Sequence, residues 1–320
     1  MKSKSKLLIV KTSAFGDVVQ TFYVINDITE QRKDLELYWC VDERFSELAT
    51  LQRSVRKVIP IPMRAWRGRW FHPCVWLEIY RWVRDLRSIG FSQAIDLQGM
   101  YKSALICWLS GASRRVGRTR FSSAEGFSQY LHSERYDLKR VAWVAGRIRD
   151  FVARTLAYDY KTLPLGSGLS QWKGPGEGVV LVIGASRKEK KWPIDNWCRL
   201  VEKLKKEVPH DRLTIIWGTE AEERDAKYLA TFSETAWVPS KKKAPLALEK
   251  VFLNSKLVIG TDTGPTHLAA ALGVPVLMLF GVTNPKNYSH PDLLNLCTLG
   301  GDEWPSVDQA VNLLRQGAWL

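Results

Sequence analysis

Apolar and polar positions alternate between two patterns along this chain. Strand-like runs (LLIVK, LELYWCV, VRKVIPIP, QAIDLQ and RRVGR) recur through the first half. Between them apolar residues return at helical spacing, most clearly over residues 76–87, where Trp76, Ile79, Tyr80 and Val83 mark one face. Alternating strand and helix with continuously apolar strands predicts a parallel sheet covered on both faces. The stretch KTLPLGSGLSQWKGPGEG at 161–178 is rich in Gly, Pro and Ser, lacks apolar periodicity, and reads as a linker. The alternation then restarts: GVVLVIGAS, a helix from about Pro193, LTIIWG, a helix from about Glu220, KLVIGTD, a helix from about Pro265, and VPVLMLFG. A last helical stretch, SVDQAVNLLRQGAW, has the option of packing back on the first half. The fold class expected is α/β, with two Rossmann-like domains over 1–163 and 179–320 joined by 164–178. Ligands of open parallel sheets bind beyond the carboxyl ends of the strands, so a site in a cleft between the two sheets is expected.

Composition adds a partner to this picture. Of the 320 residues, 45% are hydrophobic and 25% charged, which suffices for a sizeable core. The 47 Lys and Arg outweigh 33 Asp and Glu, a net +14. Residues 1–160 hold 27 basic and 16 acidic groups, and residues 51–120 alone hold 14 and 3. So concentrated an excess implies an anionic partner: nucleic acid, a membrane surface, or a phosphorylated or carboxylated substrate. Five cysteines, scattered and never spaced C-x-x-C, argue against a disulfide framework or a zinc site and fit a reducing compartment. The apolar run after the basic start is too short for a signal peptide, and no segment has the roughly 18 consecutive apolar residues of a membrane span. A soluble or peripheral protein is expected.

Candidate chemistry gathers at strand ends. In VIGTDTGPTHLAAALGVPVLMLFG (258–281), a strand ends at Asp262 and Pro265 stands where a first-turn proline belongs. Backbone N–H groups there, with the Thr263 and Thr266 hydroxyls, suit a phosphate or pyrophosphate, although an ordinary capped helix would look the same. His267, inside the helix start, is either a ligand or a core hydrogen-bonder. GASRKEKKWPIDNW (184–197) repeats the arrangement, with Arg187, Lys188, Lys190 and Lys191 available to a diphosphate or merely solvated. After a third strand, Glu220, Glu222 and Glu223 offer acceptors for ribose hydroxyls, or simply complement the helix dipole. The first half lacks G-x-G-x-x-G and Walker A patterns, and no D-x-D occurs anywhere. Instead LLIVKTSAFGDVVQT (7–21) puts Asp17 where strand passes to helix, as a cap or as a base, and IDLQGMYKSAL (95–105) forms a second strand end. MRAWRGRWFHP interleaves Arg64, Arg67 and Arg69 with Trp66, Trp70 and Phe71. That mixture suits an anionic membrane interface or single-stranded nucleic acid, or forms a plain surface loop.

The order and spacing of these segments resemble the ADP-heptose:lipopolysaccharide heptosyltransferases of glycosyltransferase family 9, most of all the heptosyltransferase I branch. The resemblance runs through nearly the whole chain and rests most on Gly16-Asp17 and on Asp-Thr-Gly-Pro-Thr-His at 262–267. It implies a GT-B fold and inverting, metal-independent transfer of heptose from ADP-heptose to the inner Kdo of Kdo-lipid A. It implies no cofactor beyond the donor, no nucleic acid, and a peripheral position on the cytoplasmic face of a Gram-negative inner membrane. By position Asp17 would be the general base. The donor would be bound by Thr12, Ser13, Lys190, Glu222, Asp262, Thr263, Gly264 and His267, and the acceptor by Arg64, Arg67 and Gln98. One departure stands out: SSAEGF places Ala124 where relatives often carry Arg, so the acceptor arginine is absent or replaced by Arg118 or Arg120. Transfer to a heptose in the manner of heptosyltransferase II, another core glycosyltransferase or nucleotide-sugar epimerase, and a non-catalytic anion binder stay open.

Overall fold

The computed structural model describes residues 4–123, 125–139 and 141–317. The chain divides into two units at Gly168/Leu169, a position inside the stretch expected to be a linker. The first unit holds one six-stranded parallel sheet: β1 (Ser5–Val10), β2 (Leu35–Asp42), β3 (Val55–Ile61), β4 (Gln93–Asp96), β5 (Arg114–Arg118) and β6 (Glu134–Tyr136), in the order β3-β2-β1-β4-β5-β6. The second holds β7 (Val179–Val182), β8 (Leu213–Ile216), β9 (Ala236–Trp237), β10 (Leu257–Thr261), β11 (Val276–Phe280) and β12 (Leu296–Gly300), ordered β9-β8-β7-β10-β11-β12. Each sheet runs outward in both directions from its first strand. The order therefore reverses between β1 and β4 in one sheet and between β7 and β10 in the other, which are the crevices where such sheets accept ligands.

The central strands bury every side chain of LLIV (7–10) and VVLV (179–182), as continuous apolar runs require. Helix Phe15–Gln31 lays Val18, Phe22, Ile25 and Ile28 on the first sheet, with Phe22 edge-on to Trp39 at 5.8 Å. Its neighbour, helix Val144–Leu156, is locked to it by the buried pair Arg149–Asp27, with guanidinium Nε and Nη2 donating at 2.6 and 3.0 Å. In the second unit, helix Ile194–Glu207 buries Trp197, Leu200, Val201 and Leu204. The last helix, Val307–Gln316, packs there too, through Val307, Ala310, Val311 and Leu314, with Lys203–Asp308 at 2.6 Å and Arg315–Glu207 beside it. The last helix thus takes a place in the second unit's core. Residues 172–177 are likewise held by the second unit: Trp172 donates from its backbone to Leu272 O and from its indole to Ser255 O, and Glu177 N donates to Asn254 O.

Two expectations are corrected. Helix Pro73–Ser88 buries Val75 and Leu86, with Ile79 and Trp82 partly covered between them, whereas Trp76 (60% exposed) and Tyr80 face outward. The spacing of 76, 79, 80 and 83 mixed two faces because both carry large apolar residues. The segment MRAWRG is also no loop but a short helix, Met63–Gly68. Strands β6, β9 and β12 are edge strands of polar or short sequence, without the apolar run that marked the others. All five cysteines are unpaired. Ala124 lies outside the described residues. No helix among the described residues is long and apolar enough to cross a membrane.

Candidate active site

At the β7/β10 crevice the side chains converge on Asp262, one residue past β10 and nearly buried. Its Oδ2 accepts from Lys190 Nζ at 2.5 Å and from Thr283 Oγ1 at 2.8 Å, and its Oδ1 lies 2.8 Å from His267 Nε2. Burial acts to raise this carboxyl. The hydrogen bonds and charges of His267 and Lys190 outweigh it and hold Asp262 well below the usual carboxylate range. The His267 ring also lies against Tyr288, with centroids 4.8 Å apart. Helix Gly264–Ala271 starts immediately beyond. Thr263 is its cap residue but makes no side-chain capping bond, and its hydroxyl meets that of Thr266 at 3.1 Å. The first backbone N–H groups of a helix have no acceptor within it, so Gly264 and Thr266 present donors beside two hydroxyls and the Lys190 ammonium. Pro265 supplies the missing donor position at no loss.

Lys190 is delivered by the loop after β7. Trp192 anchors that loop: its ring is buried edge-on to Trp197 at 5.0 Å and its indole donates to Pro305 O at 3.1 Å. Arg187 and Lys188 remain exposed. Glu222 has partners of its own. Its carboxylate accepts from Gly218 N at 2.9 Å and Ala185 N at 3.3 Å and pairs with Lys191 at 3.1 Å, tying the ends of β7 and β8 together.

In the first unit the β1/β4 crevice carries Asp17, the third residue of helix Phe15–Gln31. The helix is capped at Ala14 without a side-chain bond, and the Asp17 carboxylate turns instead to Lys11, whose Nζ donates to Oδ2 at 3.1 Å. Asp17 is 43% exposed and Lys11 only 6%. Burial pushes the Lys11 ammonium downward, Asp17 opposes that shift, and the Arg118 charge adds to it. From β4, Asp96 Oδ1 accepts from Gln98 N and Gly99 N, both at 2.9 Å, and shapes the loop from which Gln98 Oε1 accepts Ser13 N at 3.3 Å. Thr12 is buried, its carbonyl accepting Asp42 N. Arg64 and Arg67 project exposed from helix Met63–Gly68. Arg64 lies near enough for its charge to act on Asp42, which burial raises but Arg44 and Arg64 together bring low. The structure therefore joins Asp17 with Lys11, Ser13 with Gln98, and Lys190, Asp262 and His267 with one another. Sequence reasoning passed over Lys11, Asp96 and Thr283, whose only signal was adjacency to a strand end or to a residue already noted, and it offered Lys191 to a diphosphate where the structure pairs it with Glu222.

Residues 79–308 match the family model for glycosyltransferase family 9 (heptosyltransferase). The chain belongs to that family. Among curated relatives it is 32% identical to lipopolysaccharide heptosyltransferase 1 of Pseudomonas aeruginosa over 289 residues, 88% of this chain and 79% of the relative. It is 27% identical to the protein of the same name from Escherichia coli K12, over 88% of this chain and 89% of that one. The solved E. coli heptosyltransferase WaaC with ADP superposes with a TM-score of 0.87 at 25% identity, covering 97% of this chain and 99% of that one. The two units are thus the Rossmann-like domains of a GT-B fold, and the protein is a glycosyltransferase.

Proposed function

We propose that this transferase moves L-glycero-D-manno-heptose from ADP-heptose to the inner Kdo of Kdo-lipid A, with inversion and without a metal ion. The similar heptosyltransferases supply the reaction class, and the Lys190–Asp262–His267 cluster at the start of helix Gly264–Ala271 is the observation that carries the donor assignment. A diphosphate leaving group needs its developing charge met by fixed donors. Here the Lys190 ammonium, the Thr263 and Thr266 hydroxyls and the first N–H groups of the helix supply them, and the exposed Arg187 and Lys188 add charge nearby. Asp262, held ionised by its partners, keeps Lys190 and His267 in place and directs its remaining acceptor capacity to sugar hydroxyls. Glu222 serves the ribose from the end of β8.

The first unit takes the acceptor. Asp17 removes the proton of the attacking hydroxyl as the new glycosidic bond forms and the bond to ADP breaks, so a single displacement converts a β-linked donor into an α-linked product. Lys11 holds one carboxylate oxygen, and the partial exposure of Asp17 leaves room for the hydroxyl at the other. Ser13 and Gln98 line this crevice, and Arg64 and Arg67 meet the acceptor's anionic groups. The acceptor is a lipid, and the outer face of helices Met63–Gly68 and Pro73–Ser88, with the turn between them, suits a bilayer surface. It exposes Trp70, Phe71 (77% exposed), Trp76, Leu77 and Tyr80 among Arg67, Arg69, Arg81 and Arg84. We place the enzyme peripherally on the cytoplasmic side of the inner membrane.

Mass spectrometry of products formed from ADP-heptose and a panel of truncated lipopolysaccharide acceptors tests this reading. One heptose is expected to appear on Kdo-lipid A together with ADP. Transfer only to an acceptor already carrying heptose, or transfer from UDP-sugars instead, overturns it.

A further inference from the structure

Arg118 closes β5 and lays its side chain along the 97–99 loop after β4, the loop whose Gln98 meets Ser13, and its charge and that of Asp17 act on each other. It is largely buried there. Its Nη2 donates to Leu97 O at 2.5 Å, while its Nε is buried without a hydrogen-bond partner. Nη1 has neither a partner nor full burial among the described residues, so one corner of the guanidinium opens outward. Gly99 makes the seat possible. With φ +73 it takes a left-handed turn, and a Cβ there would stand 2.9 Å from Arg118 Cδ and 3.1 Å from Nη1. The charges of Asp96 and Asp17 both act on Arg118, yet neither carboxylate comes within ion-pair distance among the described residues. Lys11 is a second buried cation close enough for Arg118 to disfavour its charged form.

Burying a guanidinium without a carboxylate partner is costly, and an unused buried donor calls for a physical reason. The Asp17 reaction supplies one. When Asp17 takes the hydroxyl proton its negative charge disappears, leaving Lys11 and Arg118 with Asp96 as their remaining counter-charge. An anionic group on the substrate, set against Nη1, restores the balance at that moment. We propose that Arg118 binds a carboxylate or phosphate of the acceptor beside Asp17 and so selects acidic acceptors.

This inference rests on the acceptor reading above, and its test separates the two. Transfer from ADP-heptose is measured for the wild type, Arg118→Gln and Arg118→Lys with three acceptors: Kdo-lipid A, the same acceptor with its carboxyl groups reduced to alcohols, and the same acceptor dephosphorylated. If the wild type transfers to none of them, the functional reading fails before Arg118 is in question. Arg118→Gln is expected to raise the acceptor KM about ten- to a hundredfold on Kdo-lipid A, the loss of one charge-assisted contact. The KM for ADP-heptose should not move. Arg118→Lys, keeping the charge but not the fork, should fall between. On the acceptor that lacks the recognised group, wild type and Arg118→Gln should become equal. Equality on the carboxyl-reduced acceptor identifies a carboxylate, and equality on the dephosphorylated one identifies a phosphate. A loss of the same size on all three acceptors, or a rise in donor KM alone, overturns the proposal. Should Arg118→Gln fail to bind ADP or to melt cooperatively, Arg118→Lys carries the same comparison.

Discussion

How much of a carboxylate stays open here depends on the groups that hold it. Asp17 shares one oxygen with buried Lys11 and stays half in solvent, so replacing it disturbs little of the core. Asp17→Asn should therefore leave the melting temperature nearly unchanged and lower kcat by about 10²–10⁴-fold, the usual worth of a general base, with donor KM preserved. Undiminished transfer by that variant would remove Asp17 from the mechanism. Asp262 is the opposite case, a buried carboxylate with three partners. Breaking such a cluster by Asp262→Asn should cost roughly 3–5 kcal/mol at neutral pH. Because its folded value is depressed, the stability Asp262 supplies is complete above the ordinary carboxyl value of 3.8 and is lost as pH falls through the folded value. Urea denaturation of wild type and variant at pH 7 and pH 3 should show the gap narrowing at the lower pH, and a gap independent of pH would contradict this linkage.

At the scale of elements, the candidate residues gather where strands stop. Both crevices pair a loop after the first strand of a sheet with the end of the strand beside it: Ser13 with Gln98 across β1/β4, and Lys190 with Asp262 across β7/β10. The central strands and their helices were legible because LLIV, VVLV and VLMLF are unbroken apolar runs whose flanks change period. Edge strands were not, since β6 is ERY and β9 is AW, sequences that become strands only through a neighbour's hydrogen bonds. How closely β5 is packed shows at Gly117, where a Cβ would stand 2.2 Å from the buried His132 ring, itself 3.4 Å from Asp96. Gly117→Ala should destabilise the first unit by about 1–3 kcal/mol, as overpacked core positions do, and lower the melting temperature. A variant as stable as the wild type would show that His132 has room to move.

For the whole molecule, the charge imbalance and the exposed aromatics belong together. The basic excess of residues 51–120 was visible as a count, but only the folded helices show Trp70, Phe71, Trp76 and Tyr80 left outside while Val75 and Leu86 go in. Sedimentation with vesicles containing anionic lipid should find the protein bound, and binding should weaken as salt screens the arginines. Replacing Trp70, Phe71 and Trp76 together by Ser should weaken that binding at least tenfold, since each ring removed is a large apolar surface. Transfer to a detergent-free, water-soluble acceptor fragment should be unaffected. Equal vesicle binding by the triple variant would place the membrane face elsewhere.

Local pattern alone determined the parallel α/β class, the division into two similar halves, and the candidate loops at strand ends. Apolar periodicity, proline at helix starts and clustered charge are properties of neighbouring residues. Tertiary structure decided which of those side chains meet. Lys11 reaches Asp17 only because β1 ends one turn from the helix start. Lys190 and Asp262 meet only because β7 lies next to β10. Arg118 comes to the loop beside β1, about a hundred residues after Asp17 in the chain, only because β5 pairs with β4. Such meetings depend on strand order and register, and these are set by the burial of the whole sheet rather than by any short stretch of sequence.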